Sequence, residues 1–292
     1  MKNKILFFMF LCSIDIVVKN KFNNKKSNEK EKTMNQIEKE YSKMNSYLNN
    51  LKKEILVDTH KKFSFVNPKI SIVIALYNGE KFIKRLLLSI YNQNFKEIEI
   101  IFVNDHSVDN SRRILNEYMK RDKRIKLYEN TNNKGILFSK SKGVLKSKGK
   151  YIMILDQDDV YTQYDAFSTL YNLSEKNNID ILGFSFVFGT NNLTLINRFP
   201  LRFLETPILF QPKVIEMNLN NSLNGRVERM NWVLWNYFIR GDLFKKSIKQ
   251  INEKYMETKM IAHDDFIMFF ILVRNARNIK LIKRIFYAQI LQ

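Results

Sequence analysis

Between Ile70 and Leu155 the chain alternates four times between short apolar runs rich in β-branched residues and stretches with helical spacing. Ile70-Ser-Ile-Val-Ile-Ala75, set behind Pro68-Lys69, reads as a buried strand, and Asn78-Gly79 as the turn that ends it. Ile83, Leu86, Leu87 and Ile90 then share one helical face. The pattern repeats as strand Ile98–Val103, helix Asp109–Lys120 with Asp109 or Ser111 as N-cap, strand Arg124–Tyr128, helix Gly135–Leu145 and strand Tyr151–Leu155. Strands alternating with helices through short links predict an α/β, mainly parallel, doubly wound sheet flanked by helices. Ligands of such sheets bind at the carboxyl ends of the strands, so the residues just after each strand are the candidates for chemistry.

Composition narrows the remaining classes. Of 292 residues 45% are hydrophobic, too many for a disordered chain. The lone Cys12 excludes an internal disulfide framework. The formal charge of +20 invites a nucleic-acid reading. Much of the excess, however, lies in a polar leader (Lys19 to Lys32) and between Arg121 and Lys150, and no recognised nucleic-acid module is present. The charge reads as a solvated surface enriched by composition, or as a basic rim that attracts a polyanion such as a nucleotide diphosphate.

Residues 1–18 pair a basic start with an apolar stretch and read as a signal peptide, a short signal anchor or an apolar terminus with no address. Either of the first two favours the endomembrane or secretory pathway over the cytoplasm, and an anchor implies membrane association. Residues 19–64 read as a polar linker followed by a helical stem. Met34, Ile37, Tyr41, Met44, Leu48, Leu51 and Ile55 fall at alternating intervals of three and four, a heptad seam. That seam serves a coiled coil, implying a homo-oligomer, or a single amphipathic helix lying on the main domain.

Three strand ends carry chemistry. Tyr77-Asn78 follow the first strand, Asn104-Asp105-His106-Ser107 the second, and Asp156-Gln157-Asp158-Asp159 the fourth. Three acids in four residues repel one another unless a cation or strong donors compensate. A divalent cation with oxygen ligands is the simplest compensation, and an exposed acidic turn the bland alternative. The chain has neither Gly-x-Gly-x-x-Gly after the first strand nor a P-loop pattern, so a phosphate here is expected to be held by metal and not by a glycine cradle.

The stretch SIVIALYNGEKFIKRLLLSIYNQNFKEIEIIFVNDHSVDNS, followed by NKGILFSKSKGVLKSKGKYIMILDQDDV, resembles the donor half of a family 2 glycosyltransferase with the Rossmann-like GT-A fold. WVLWNYFIRGDLFKK and IAHDDFIMFF stand in the order of the acceptor half. The resemblance implies a glycosyltransferase domain over 65–292, with a nucleotide-sugar donor half at 65–160 and an acceptor half at 161–292. It implies transfer of a sugar from a nucleotide-diphospho-sugar, UDP-sugar type favoured, to an acceptor hydroxyl. The transfer would be metal-dependent with Mn²⁺ or Mg²⁺ and inverting. It would also be non-processive, since no Gln-x-x-Arg-Trp follows Asp265.

Residue by residue, the resemblance implies that Tyr77 borders the base and Asp105 binds a uracil-type edge. It implies that Asp156 binds the ribose or nearby nucleotide and Asp158 coordinates the metal, with Asp159 as a helper. Asn104 replaces an acid, His106 a glycine, and Lys140 the arginine of the family's Ala-Arg-Asn-x-Gly, where it would contact the donor. Asp265 matches the catalytic base, with His263 and Asp264 beside it. The single displacement needs such a group, because an acceptor hydroxyl must lose its proton as it attacks. Acids opening a helix also offset its dipole, which is the structural alternative for this cluster. Trp232 and Trp235 suit either an acceptor platform or core packing. The departures at Asn104 and Lys140 leave a second class open: a non-catalytic relative that binds a sugar nucleotide or a glycan.

Overall fold

The computed structural model describes residues 27–56, 63–64, 67–196, 206–211, 233–252, 255–256 and 264–291. The leader 1–18, Trp232 and His263 lie outside them. The chain divides into two units, Met1–Ser42 and Lys43–Gln292, and everything that follows concerns the second. Helix α1 runs Ser27–Leu56. In its second-unit half the seam residues Met44, Leu48 and Leu51 are buried, and Tyr47 Oη donates to the Ser89 carbonyl at 3.0 Å. That stretch therefore packs as an amphipathic helix of the same unit as the sheet. No helix among the described residues is long and apolar enough to cross a membrane.

The predicted alternation is present. Strands β1 (Ile70–Leu76), β2 (Ile98–Asn104), β3 (Ile125–Glu129) and β4 (Tyr151–Ile154) are separated by α2 (Ile83–Tyr91), α3 (Ser111–Arg121) and α4 (Ile136–Lys146). They pair in parallel in the order β3-β2-β1-β4. Every residue of β2 is buried, which is why these strands read as continuous apolar runs instead of alternating ones. The α3 N-cap is Asn110, not Asp109 or Ser111, although Asp109 Oδ1 still accepts the Ser111 N–H at 3.0 Å from one residue upstream.

The second half departs from the parallel plan. After β5 (Val160–Tyr161), α5 (Ala166–Asn177), β6 (Ile181–Thr190) and β7 (Leu209–Phe210) come β8 (Tyr237–Arg240), α6 (Gly241–Ile248), α7 (Asp264–Asn275) and β9 (Asn278–Leu291). β8 inserts antiparallel between β4 and β6, and β6 then pairs in parallel with the long β9. β5 and β7 both add antiparallel to β9. Helices α4, α6 and α7 bury one shared core with Val73, Ile101, Ile152, Phe244 and Phe269. Gly143 lets α4 approach β1: a Cβ there would stand 2.3 Å from Val73 Cγ1. The chain turns back across the sheet between β1 and β4, the position at which a doubly wound sheet opens a crevice.

Candidate active site

Three loops leave the carboxyl ends of β1, β2 and β4, and side chains tie them into one rim. The Tyr77 N–H donates to Gln157 Oε1 at 3.0 Å, and Gln157 Nε2 donates back to the Tyr77 carbonyl at 3.1 Å. The Asn78 N–H donates to Ser107 Oγ and the Val108 N–H to Asn78 Oδ1, both at 3.0 Å. The Tyr77 ring is 46% exposed on this rim. Asn78 and His106 both hold left-handed backbone, with φ of 48° and 64°. That conformation explains the glycine expected at position 106: a residue with a Cβ costs about 1–2 kcal/mol more there.

Asp105 is buried, and its carboxylate accepts from Asn130 Nδ2 (2.8 Å), the Lys134 N–H (2.7 Å) and the Gly135 N–H (2.8 Å). It thus clamps the turn that launches α4. Asn104 Oδ1 accepts the Ser107 N–H at 3.1 Å while its Nδ2 reaches Glu129 Oε1 at 3.4 Å. A second acid at position 104 would accept the first bond but repel Glu129, so the amide suits this neighbourhood.

The acidic turn after β4 distributes its carboxylates unequally. Asp159 is buried; Tyr287 Oη donates to its Oδ2 at 2.6 Å and the Ile290 N–H to its Oδ1 at 2.7 Å. Burial, then the charges of Asp158 and Asp156, push its carboxyl well above the usual range. Its bonds anchor the turn to β9. Asp158 and Asp156 are only partly buried. The Asp158 carbonyl accepts from Arg85 Nη2 at 2.6 Å, so α2 braces the turn from below.

Lys140 joins the two halves of the chain. It projects from α4, is 2% exposed, and places Nζ 2.7 Å from Asp265 Oδ1, 3.0 Å from Asp264 Oδ2 and 3.6 Å from Asp156 Oδ1. Asp264 and Asp265 open α7. The second oxygen of Asp265 accepts the Leu234 N–H at 3.0 Å. Burial, with Asp264 and Asp156 nearby, pushes the Asp265 carboxyl up to about 7 against the pull of Lys140. Burial also works to raise Asp264, but Lys140 outweighs it and holds that carboxyl below its usual value. Lys140 is therefore a buried strut among acids. Trp235 is 3% exposed and stacks on Tyr287 at 4.6 Å between centroids, the packing alternative of the two that the sequence left open.

Sequence reading did not find Arg85, Asn130, Leu234 or Tyr287. Only Asn130 carried a local signal, as a polar residue just after the third strand. The others reach the site through pairings such as β5–β9 and the seat of α2, which local pattern does not encode. Among the described residues no three acids or histidines stand close enough to hold a metal by themselves. A partly buried carboxylate such as Asp158 instead suits a hard cation that takes its remaining oxygens from a phosphate, as Mg²⁺ does.

Comparison with known proteins identifies the family. The family model described as glycosyl transferase family 2 matches residues 71–256. An uncharacterized glycosyltransferase of Bacillus subtilis, EpsJ, is 31% identical over 181 residues, covering 62% of this chain and 50% of EpsJ. The GalNAc(5)-diNAcBac-PP-undecaprenol beta-1,3-glucosyltransferase of Campylobacter jejuni is 32% identical over 123 residues, 42% of this chain and 38% of that protein. The chain thus spans half the length of the first relative and less of the second. Among solved structures, S. aureus TarS 1–349 in complex with UDP superposes with a TM-score of 0.60 at 20% identity, covering 77% of this chain and 61% of TarS. The same protein in complex with UDP-GlcNAc gives 0.61 at 18% identity, covering 77% and 59%. By the family match over 71–256 and the GT-A architecture shared with TarS, this chain belongs to glycosyl transferase family 2.

Proposed function

We propose that this chain transfers a sugar from a nucleotide-diphospho-sugar, UDP-sugar type, to an acceptor hydroxyl, with inversion and one sugar at a time. The observation that carries the reading is the Lys140 bridge, which brings Asp265 of the acceptor half within reach of the donor turn at Asp156. A carboxylate base set beside the donor turn is what a single displacement requires. Asp265 takes the proton of the attacking hydroxyl, and a carboxyl pushed up to about 7 is a stronger base near neutral pH than an ordinary one. Tyr77 offers an exposed ring to the base, and the Tyr77–Gln157 pair ties its loop to the turn that carries Asp156. Asp105 shapes the base pocket by holding the 130–135 turn. Asp158 would hold Mn²⁺ or Mg²⁺, which when bound offsets the charge gathering on the leaving diphosphate. Complexes of TarS with UDP and UDP-GlcNAc support a nucleotide-sugar donor for this fold. The acceptor is a hydroxyl on a glycan, lipid or protein.

A thermal-shift panel of nucleotide sugars with and without Mn²⁺ tests the reading, because a ligand of the native state raises its stability. A UDP-sugar is expected to raise Tm only with the cation. Asp158→Ala is expected to abolish that metal-dependent shift while leaving the unliganded Tm in place. A mutant that keeps the full shift would remove Asp158 from the assignment.

A further inference from the structure

We propose that Lys140 is the positioning residue of the base: its ammonium fixes the Asp265 carboxylate, favours its charged form and ties it to the donor turn. The inference rests on the reading of Asp265 as the base. Lys140 lies within 3.0 Å of two carboxylates and 3.6 Å of a third, contributed by α7 and by the turn after β4. An ammonium carries three donors, and three acids surround it. One cation among three carboxylates leaves net negative charge around a buried ammonium. Without Lys140 no other cation among the described residues would stand in contact with Asp265, and its carboxyl would hold its proton to higher pH.

The geometry is that of a grip. Oδ1 of Asp265 is held by Lys140 and Oδ2 by the Leu234 N–H, so neither rotation nor withdrawal of the carboxylate is free. Each oxygen keeps a further lone pair for an incoming hydroxyl proton. The seat of Lys140 is itself fixed, because Ser139 and Ser141 on either side are buried and Gly143 brings α4 against β1. Charge is therefore delivered to Asp265 by a rigid element and not by a mobile surface side chain. Among the described residues the groups facing Asp265 are Lys140 from α4, Asp156 from the β4 turn, Asp264 from α7 and the Leu234 amide, and the direction of its titration follows from burial first and then from their balance.

The test follows the pH dependence of kcat/KM for nucleotide release from the UDP-sugar that the thermal panel selects, in full-length wild type, Lys140→Met, Lys140→Arg and Asp264→Asn. Lys140→Met is expected to move the acid limb up by about one to three pH units. It should lower kcat near pH 7 by about 10- to 100-fold, a deficit that shrinks toward pH 9. Lys140→Arg should keep the limb in place while lowering kcat, and Asp264→Asn should move the limb down. A loss equal at every pH in Lys140→Met, or no difference between Met and Arg at this position, would make Lys140 a packing residue and overturn the proposal. A second readout needs no turnover: the carboxyl ¹³C titration of Asp265, assigned with Asp265→Asn, should rise in Lys140→Met and fall in Asp264→Asn. Should Lys140→Met not fold, Lys140→Gln takes its place: the same upward shift of the limb is expected, and an unmoved limb overturns the proposal. Should wild type turn over no nucleotide sugar, the transferase reading fails, while the titration still decides whether Lys140 sets the state of Asp265.

Discussion

The sheet buries acids at both ends, and the two ends treat them in opposite ways. At the amino end, Glu99 of β2 is almost fully buried and accepts from Ser71 Oγ (2.6 Å), the Lys148 N–H (2.5 Å), the Gly149 N–H (3.2 Å) and the Lys126 ammonium. Burial alone would raise its carboxyl, but these donors, Lys126 first, hold it below its usual value. At the carboxyl end, Asp265 shares one lysine with two other acids and is pushed up to about 7. Donors outnumber charge at one end and charge outnumbers donors at the other. A carboxylate saturated by donors holds the fold together, whereas one left with excess negative neighbours is poised for proton transfer.

Substitutions at the two ends should separate activity from stability. Asp265→Asn is expected to lower kcat by about 10² to 10⁴-fold while leaving nucleotide binding intact, measured by turnover and by titration with UDP and Mn²⁺. Its Tm should hold or rise, since a buried charge is removed. Transfer that survives would place the base elsewhere. Glu99→Ala should do the reverse: about 3 kcal/mol lost in urea unfolding, with kcat per folded molecule unchanged.

The two ends should also differ in pH dependence. The folded value of Glu99 is depressed, so its contribution is present above the unfolded carboxylate range near 4.3 and fades as pH falls through the folded value. The Glu99→Ala penalty should therefore shrink in acid. The folded value of Asp265 is raised, so the stability linked to its protonation is full below the unfolded value and is lost as pH rises through about 7. Asp265→Asn should accordingly gain more stability over wild type at pH 8 than at pH 5, and wild-type kcat/KM should climb with pH through that same region. The smallest effect is expected for Ser71→Ala, which removes one of four donors to Glu99 and should cost about 1 kcal/mol in the same urea experiment.

How much of this was legible beforehand differs between the halves for a physical reason. The strands β1 to β4 were readable because burial on both faces writes an unbroken β-branched run into local sequence. The acids at their ends followed from topology, since a parallel sheet exposes ligands where its strands finish. β6 is buried over nearly its whole length, yet ILGFSFVFGT carries glycines and a serine that blur its period, and β8 and β9 find their places only by pairing across the chain. Trp235 stood between core packing, the favoured reading, and an acceptor platform until its stacking partner, Tyr287, was in place.

The sequence by itself determined a doubly wound α/β frame, the three strand ends that the structure joins in one rim and the residue types standing on them. Only the tertiary structure decided which charges meet. Lys140 and Asp265 are 125 residues apart, and Asp159 and Tyr287 are 128 apart. Periodicity is a property of neighbours along the chain, but the ionisation of a buried acid is set by whatever long-range packing brings to within a few ångströms of it.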